Sequence, residues 1–200
     1  MKRTLLFLIV AFFSLSLFSQ QPRILDDPNA SFHQAKEYFQ KEHYSLAYPI
    51  FKDLELQLRE TDRSNQALNA QEIRFYTIVC ALKQNEEAAV DKARDFIDLE
   101  DNTARVQMMG FHLAEYYFRN KDYTKALSAY ENVSVDNLSN REVADMKFHQ
   151  GYALFNMQKF EQAKPLFDAI RQMPKDPNYI DANYYYGFIS FYDKKYSIAQ

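Results

Sequence analysis

A small residue followed four positions later by an aromatic residue returns along the chain at a nearly constant interval. The pairs are Ala47 with Phe51, Ala126 with Tyr130, and Ala163 with Phe167, and Ala199 begins a further copy. Ala126, Ala163 and Ala199 are 37 and 36 residues apart, and 79 residues, close to two such intervals, separate Ala47 from Ala126. An internal period of about 20 to 50 residues is typical of stacked-repeat proteins. The sequence therefore predicts an array of repeated units.

Each copy has the pattern of two short helices joined by a polar turn. In one copy, Leu113, Ala114 and Tyr117 precede the turn Arg119–Asp122, and the second helix starts at Tyr123. Apolar residues three and four positions apart share one face of a helix. Small residues recur where two helices must approach closely, and in the first helices these are Ala35, Ala114, Gly151 and Gly187. The predicted fold is an all-α solenoid of antiparallel helix pairs.

This pattern resembles the tetratricopeptide repeat family, whose units carry a glycine or alanine, a mid-helix tyrosine, a second-helix alanine and a following aromatic residue. The resemblance covers residues 28–200 and implies a right-handed superhelical solenoid that binds other proteins in its concave groove. We expect about five units, at residues 28–60, 69–100, 105–136, 140–174 and 178–200, the last incomplete. In the second unit, either Ala89 or Ala93 takes the place of the repeat alanine. Because the chain ends within a copy, we expect a longer protein.

Helix-start signals support these boundaries. They are Asp27 before Pro28, the capping box of Ser139 with Glu142, and an approximate capping box of Asn178 with Asp181. Pro49 and Pro165 each follow a repeat alanine by two residues. A proline so early in a helix leaves few carbonyls unsatisfied, so we expect both second helices to continue with a mild bend.

The first residues have the composition of an export signal. Lys2 and Arg3 precede an apolar segment from Leu5 to Phe18, which predicts a cleavable signal peptide at residues 1–19 and a linker at 20–27. Cleavage fits after Ser16 or Ser19. The segment is shorter than the about 20 residues of a spanning helix, and no cysteine near residue 20 offers a site for an acyl anchor. We expect an exported protein in the periplasm or cell envelope of a Gram-negative bacterium, without a stable membrane span after cleavage.

Several classes of function lack support in the sequence. The net charge of −3 is spread along the chain without a basic block, which argues against nucleic acid as a partner. Cys80 is the only cysteine, lies in an apolar segment and is expected to be a buried thiol. The three glycines all fall in first helices, so no phosphate-binding loop is available, and the four histidines lack the spacing of a metal-ligand pair. We predict no enzyme, no cofactor and no metal.

The candidate site is a stripe of aromatic residues on the first helices. Aromatic pairs seven residues apart, which share a helix face, are Phe32 with Phe39, Phe111 with Phe118, Phe148 with Phe155, and Tyr184 with Phe191. The resemblance places this face in the concave groove. The predicted partner-binding residues are Phe111, Phe118, Phe148, Tyr152, Phe155, Tyr184, Phe188, Phe191 and Tyr192. For the paired aromatics the alternative is packing between units, and for Tyr152, Phe188 and Tyr192 it is cover by a following helix.

The leading interpretation is an exported scaffold that binds a protein or peptide partner. One alternative is an outer-membrane-associated protein that binds a nutrient or glycan; the lack of a cysteine at the cleavage site and of tryptophan argues against it. Another is an adaptor for a catalytic domain beyond residue 200.

Overall fold

A computed structural model describes residues 27–60 and 70–193, without the side chains of residues 59 and 60. Its helices are α1 (Pro28–Gln40), α2 (Tyr44–Glu60), α3 (Ala70–Lys83), α4 (Ala88–Leu99), α5 (Thr103–Arg119), α6 (Tyr123–Tyr130), α7 (Asn140–Asn156), α8 (Phe160–Arg171) and α9 (Tyr179–Tyr192), with a 3₁₀ turn at Val135–Asn137. This part of the chain contains no strand. The predicted signal peptide, most of the predicted linker and Ala199 lie outside the described residues.

The helices are stacked in pairs. Units one to four are α1 with α2, α3 with α4, α5 with α6, and α7 with α8, and α9 follows as the first helix of unit five. Each second helix also packs against the next first helix, and the first helices α3 and α5 contact one another directly. The predicted all-α solenoid of helix pairs is therefore confirmed. Within residues 27–60 and 70–193, no helix has both the length and the apolar character that crossing a membrane would require.

A left-handed residue closes the turn inside each complete unit. These residues are Glu42, Asn85, Lys121 and Gln158, with φ between 58° and 64°. The N–H of the residue that follows donates to the carbonyl five positions earlier, as from His43 to Tyr38 at 2.8 Å. This bond is the one that terminates a helix in a Schellman motif. The same backbone device thus turns the chain back at regular intervals.

The repeat residues form the core of each pair. Ala35, Ala47, Ala114, Ala126 and Ala163 have no exposed area, Phe51 and Phe167 have none either, and Tyr130 is 2% exposed. Gly151 is buried and Gly187 is half-buried. A Cβ atom built on Gly151 would lie 3.1 Å from Cε1 of Phe167. The small residue of the first helix therefore allows the aromatic residue of the second helix to lie against the helix backbone.

Unit two has the same buried positions, but its first helix carries the large residue and its second helix carries the small one. In the second helices α2 and α8, three buried residues are spaced by four and then three positions. In α2 they are Ala47, Phe51 and Leu54. The same spacing occurs in α4, at Ala89, Ala93 and Phe96. Ala89 therefore takes the repeat-alanine position, and Ala93 takes the position of the aromatic residue. Ile78 replaces the small residue of the first helix, seven residues before the left-handed Asn85. A large residue in α3 thus compensates for a small one in α4.

Most of the predicted helix-start signals are present. The Asp27 side chain accepts a hydrogen bond from the Asn29 N–H, and both bonds of the Ser139 capping box are formed. The prediction for Asn178 was wrong, because its side chain caps nothing and instead donates from Nδ2 to Oδ1 of Asp145 at 2.8 Å. Pro49 and Pro165 lie inside uninterrupted helices, as expected.

Candidate functional site

The first helices of units one to four enclose a cavity of about 770 Å³, which we call the groove. Its apolar and aromatic surface comes from α1, α3, α5 and the start of α2, namely from Phe39, Tyr44, Phe75, Tyr76, Ala104, Met108 and Phe111. The rest of its wall is charged and polar, and reaches from the turn after α1 to Asp145 in α7. The stacking of four units therefore builds one continuous site, to which each unit contributes a few residues.

Carboxylates outnumber cationic groups on the groove wall. The carboxylates belong to Glu42, Glu72, Glu115, Glu142 and Asp145, and the cations to Lys83, Arg105 and Arg141. Arg105 pairs with Glu100 at 3.0 Å, and Arg141 lies 3.8 Å from Asp145. The groove therefore carries a net charge of −2, with the carboxylates distributed along its length.

Glu115 is the centre of a buried polar network at one side of the groove. Its residue is 8% exposed. Its Oε1 atom lies 2.8 Å from Nδ1 of His149 and accepts a hydrogen bond from the Tyr130 hydroxyl. Burial alone would raise the pKa of Glu115, but the hydrogen bond and charge of His149, with the Tyr130 hydroxyl, outweigh it and leave the pKa below its usual value. The network joins α5, α6 and α7.

Two polar groups on the groove wall lack a hydrogen-bonding or ionic partner within the described chain. Lys83, at the end of α3, forms no ion pair there, and its Nζ lies 5.6 Å from the centre of the Tyr44 ring. His112 is 6% exposed, and its buried Nδ1 has no hydrogen-bond partner among the described residues. Burial lowers the pKa of Lys83, and burial together with the Lys83 charge lowers the pKa of His112 to about 3. His112 is therefore neutral at physiological pH.

The predicted aromatic stripe lies mostly outside the groove. Its middle part forms a continuous set of ring contacts, which we call the aromatic column, through Phe118, His149, Tyr152, Tyr185, Phe155 and Phe188. The rings of Phe118 and His149 are stacked with centroids 4.0 Å apart. Each of these ring contacts joins the first helices of two successive units. The column therefore connects units three, four and five.

The nine predicted partner-binding residues therefore divide into three groups. Phe111 and Phe148 are only 4% and 8% exposed and belong to the packed cores, and of the nine only Phe111 also lines the groove. Phe118, Tyr152 and Phe155 are half-buried in the aromatic column. Tyr184, Phe188, Phe191 and Tyr192 are between 44% and 65% exposed on α9. Contact with a partner through any of the nine residues stays a prediction.

Lys83 and His112 were not singled out as site residues in the sequence, nor was the pairing of Glu115 with His149. A signal for the pairing exists, because many polar contacts between units join residues about one repeat apart. Examples are Lys36 with Glu72, Tyr48 with Glu86, Asn120 with Asn85, and Glu115 with His149. Complementary side chains one period apart are therefore the pattern that would have located these contacts.

The fold defined by these stacked pairs is a tetratricopeptide-repeat-like solenoid. Among solved structures, MamA from AMB-1 superposes with a TM-score of 0.61 at 17% identity, over 87% of this chain and 87% of that one. MamA from MSR-1 gives 0.60 at 17% identity over 86% and 90%. A Podosopora anserina kinesin light chain with nearly identical TPR-like repeats gives 0.60 at 13% identity over 86% and 89%. No protein-family model and no curated protein matches the sequence.

Proposed function

We propose that this protein is an exported scaffold of the cell envelope that binds a segment of a partner protein in its groove. The observation that supports this best is the groove itself, a cavity of about 770 Å³ built by four successive first helices. Its apolar surface and its distributed charges suit an extended peptide, which offers apolar side chains and polar backbone groups in alternation. The exposed aromatic residues of α9 extend this binding surface towards the C-terminal end of the array.

The polar network beside the groove connects neighbouring units. The Glu115 carboxylate is hydrogen-bonded to His149 and accepts a hydrogen bond from the Tyr130 hydroxyl, so the ionisable pair is held in a structural network between units. Large aromatic side chains at the margin of such a cavity are the residue types that concentrate binding energy in protein interfaces. These features support a binding function.

Site-specific photo-crosslinking in the native host tests this proposal. A benzophenone amino acid replaces Met108, which lines the groove, or Leu46, which is 51% exposed on the second helix α2. We expect a discrete crosslinked partner from position 108 and none from position 46. The double variant Phe188→Ala with Tyr192→Ala should weaken the crosslink from position 108 if α9 contributes to binding. Crosslinks from position 46 alone would show that the partner binds the other face.

Export is the second part of the proposal and rests on the sequence of residues 1–19. The experiment is to determine the N-terminal residue of the protein purified from its host. We expect a mature protein that begins after Ser16 or Ser19 and fractionates with the periplasm or envelope. Recovery of a chain that keeps its first residues and stays in the cytoplasm would contradict this part and leave the groove proposal standing.

A further inference from the structure

The groove contains an unpaired cation beside an unpaired buried imidazole. Of the three cationic side chains on its wall, Arg105 and Arg141 lie near carboxylates, at 3.0 and 3.8 Å, and Lys83 has no such neighbour within 4 Å in the described chain. His112 lines the same cavity from α5, and its Nδ1 atom is buried without a hydrogen bond there. Buried polar groups of native proteins nearly always have partners, so the buried nitrogen of His112 asks for an explanation.

Burial lowers the pKa of Lys83, and Glu115, Glu42 and Glu142 act against burial from beyond 4 Å, so no carboxylate of the described chain pairs directly with its ammonium. Its half-buried ammonium has lost part of its hydration and faces the Tyr44 ring, which replaces only a small part of that loss. A carboxylate brought into the groove restores a charge-assisted hydrogen bond to Nζ. The neutral His112 imidazole has one ring N–H and one free nitrogen, so it pairs with either an acceptor or a donor of a bound peptide.

The remaining charge of the groove restricts the flanks of such a segment. Five carboxylates against three cations leave a net charge of −2, and the carboxylates extend from Glu42 to Asp145. A polyacidic peptide is therefore repelled along most of the groove, whereas basic residues on both sides of a single acidic residue are attracted. Because units one to four all contribute to the wall, an internal segment fits the groove along its length, and a chain terminus is not needed.

From this arrangement, and resting on the proposed function, we infer that the groove recognises an internal peptide segment with one Asp or Glu side chain flanked by basic residues. The carboxylate of that residue binds Nζ of Lys83, and a neighbouring polar atom of the segment hydrogen-bonds Nδ1 of His112. Apolar side chains of the segment contact Phe39, Met108 and Phe111. Lys83 is thus the residue that determines specificity for acid at one position.

The test is selection of short peptides from a display library on the purified protein, followed by binding measurements by fluorescence anisotropy. The selected peptides are synthesised with blocked termini, so that only side-chain carboxylates are available. We expect enrichment of Asp or Glu at one position, with Lys or Arg on both sides. Replacing that acid by its amide, or Lys83→Met in the protein, should each weaken binding by about tenfold or more.

A double-mutant cycle identifies the pairing. If the acid binds Lys83, the amide peptide and the Lys83→Met protein together lose little more than either change alone. Lys83→Arg keeps the charge and should retain most of the affinity. Lys92→Met removes an exposed lysine of α4, outside the groove, and should leave binding unchanged. Thermal unfolding of each variant confirms that the fold is retained.

The possible outcomes separate this inference from the proposed function. Peptides that bind wild type but not Met108→Arg, and that show no acidic preference or no effect of Lys83→Met, would overturn the inference and leave the groove as the binding site. Tighter binding through a free C-terminal carboxylate than through the internal acid, measured with the same peptides left unblocked, would also overturn it. If no peptide distinguishes wild type from Met108→Arg, the groove proposal itself is contradicted.

Discussion

Nδ1 of His149 lies 2.8 Å from Oε1 of Glu115, so an ionisable pair joins the first helices of units three and four. The side chains are 21% and 10% exposed, which shields the contact from water and salt. The His149 ring also stacks on Phe118 of the same helix as Glu115. One imidazole thus makes both a polar and an aromatic contact across this boundary between units.

Glu115→Ala should destabilise the protein by about 2–3 kcal/mol, because the buried Tyr130 hydroxyl and His149 both lose their acceptor. Urea unfolding at neutral pH measures this loss. Arg141→Ala is the matched control, since its pair with Asp145 spans 3.8 Å and its side chain is 73% exposed. That change should alter the unfolding free energy by less than about 1 kcal/mol. Equal losses in both variants would contradict a special role for Glu115.

The same carboxyl group should make stability depend on pH in the acid range. The folded-state pKa of Glu115 lies below its ordinary value of 4.5, so the ionised form favours the folded state. This stabilisation is present above pH 4.5 and is lost as the pH falls through the folded-state pKa. The free energy of unfolding of Glu115→Gln should therefore fall less steeply with acid than that of wild type. Parallel curves for the two proteins would rule out this assignment.

The two first-helix glycines of units three and four should differ in how well they tolerate an added side chain. At Gly110 a Cβ atom would meet Val133 at an ordinary 3.7 Å, so Gly110→Ala should stabilise by about 0.5–1 kcal/mol through helix propensity. At Gly151 three atoms of Phe167 and Leu166 lie within 3.3 Å of that position. Gly151→Ala should gain less, and Gly151→Val should lose about 1–3 kcal/mol by overpacking. Thermal unfolding of the three variants measures these changes in stability. Equal stabilisation by Gly110→Ala and Gly151→Ala would contradict the crowding around Gly151.

Lys83→Met should stabilise the free protein, although it removes a groove residue. Burial lowers the pKa of Lys83, which means that the charged form is less favourable in the folded state than in the unfolded state. We expect the Tm to rise by about 2–4 °C at neutral pH, as for a gain of about 1 kcal/mol. The difference should shrink as the pH rises through the folded-state pKa, because wild type then loses the charge. A lower Tm for the variant at neutral pH would show that Lys83 has a stabilising partner.

Cys80 should report on opening of units one and two. Its thiol has no exposed area, and burial raises its pKa to about 12. Both effects suppress the thiolate that reacts with disulfide reagents. We expect the Cys80 thiol of the native protein to react with such a reagent only as fast as the protein unfolds. In denaturant, the thiol should react at the rate of an exposed cysteine. Rapid reaction under native conditions would contradict the burial.

The repeating core was predictable from sequence because most units pack their two helices together with the same types of residue at the same positions. Ala47, Ala126 and Ala163 mark the points of closest approach, and the aromatic residue four positions later fills the space beside each alanine. Unit two was ambiguous because packing constrains the combined volume of facing residues and not each residue separately. With Ile78 in the first helix, the second helix carries Ala93, and the local pattern no longer distinguishes Ala89 from Ala93.

The groove chemistry was harder to predict for a different reason. Glu115 lies in an apolar helical segment, and only the stacking of α5 and α7 brings His149 to it. The lack of an ion-pair partner for Lys83 in the described chain depends on all the residues around it. No spacing of residues along the sequence predicts it. The aromatic residues that stood out in the sequence did so because they are numerous. Most of those in units three and four are used for packing, as the rings of Phe118 and Phe155 show.

The left-handed residues in the turns are positions at which the stability of single units can be changed separately. Glu42, Lys121 and Gln158 hold a conformation that an L side chain other than Asn or Asp adopts at a cost of about 1 kcal/mol or more. Glycine at Lys121 or Gln158 would relieve that cost without touching the groove, whereas Glu42 is itself one of the groove carboxylates. Because the stability of a solenoid is close to a sum over units and their interfaces, evolution or design can strengthen one hinge at a time. At those two turns, the stability of a unit can therefore be changed while the groove stays the same.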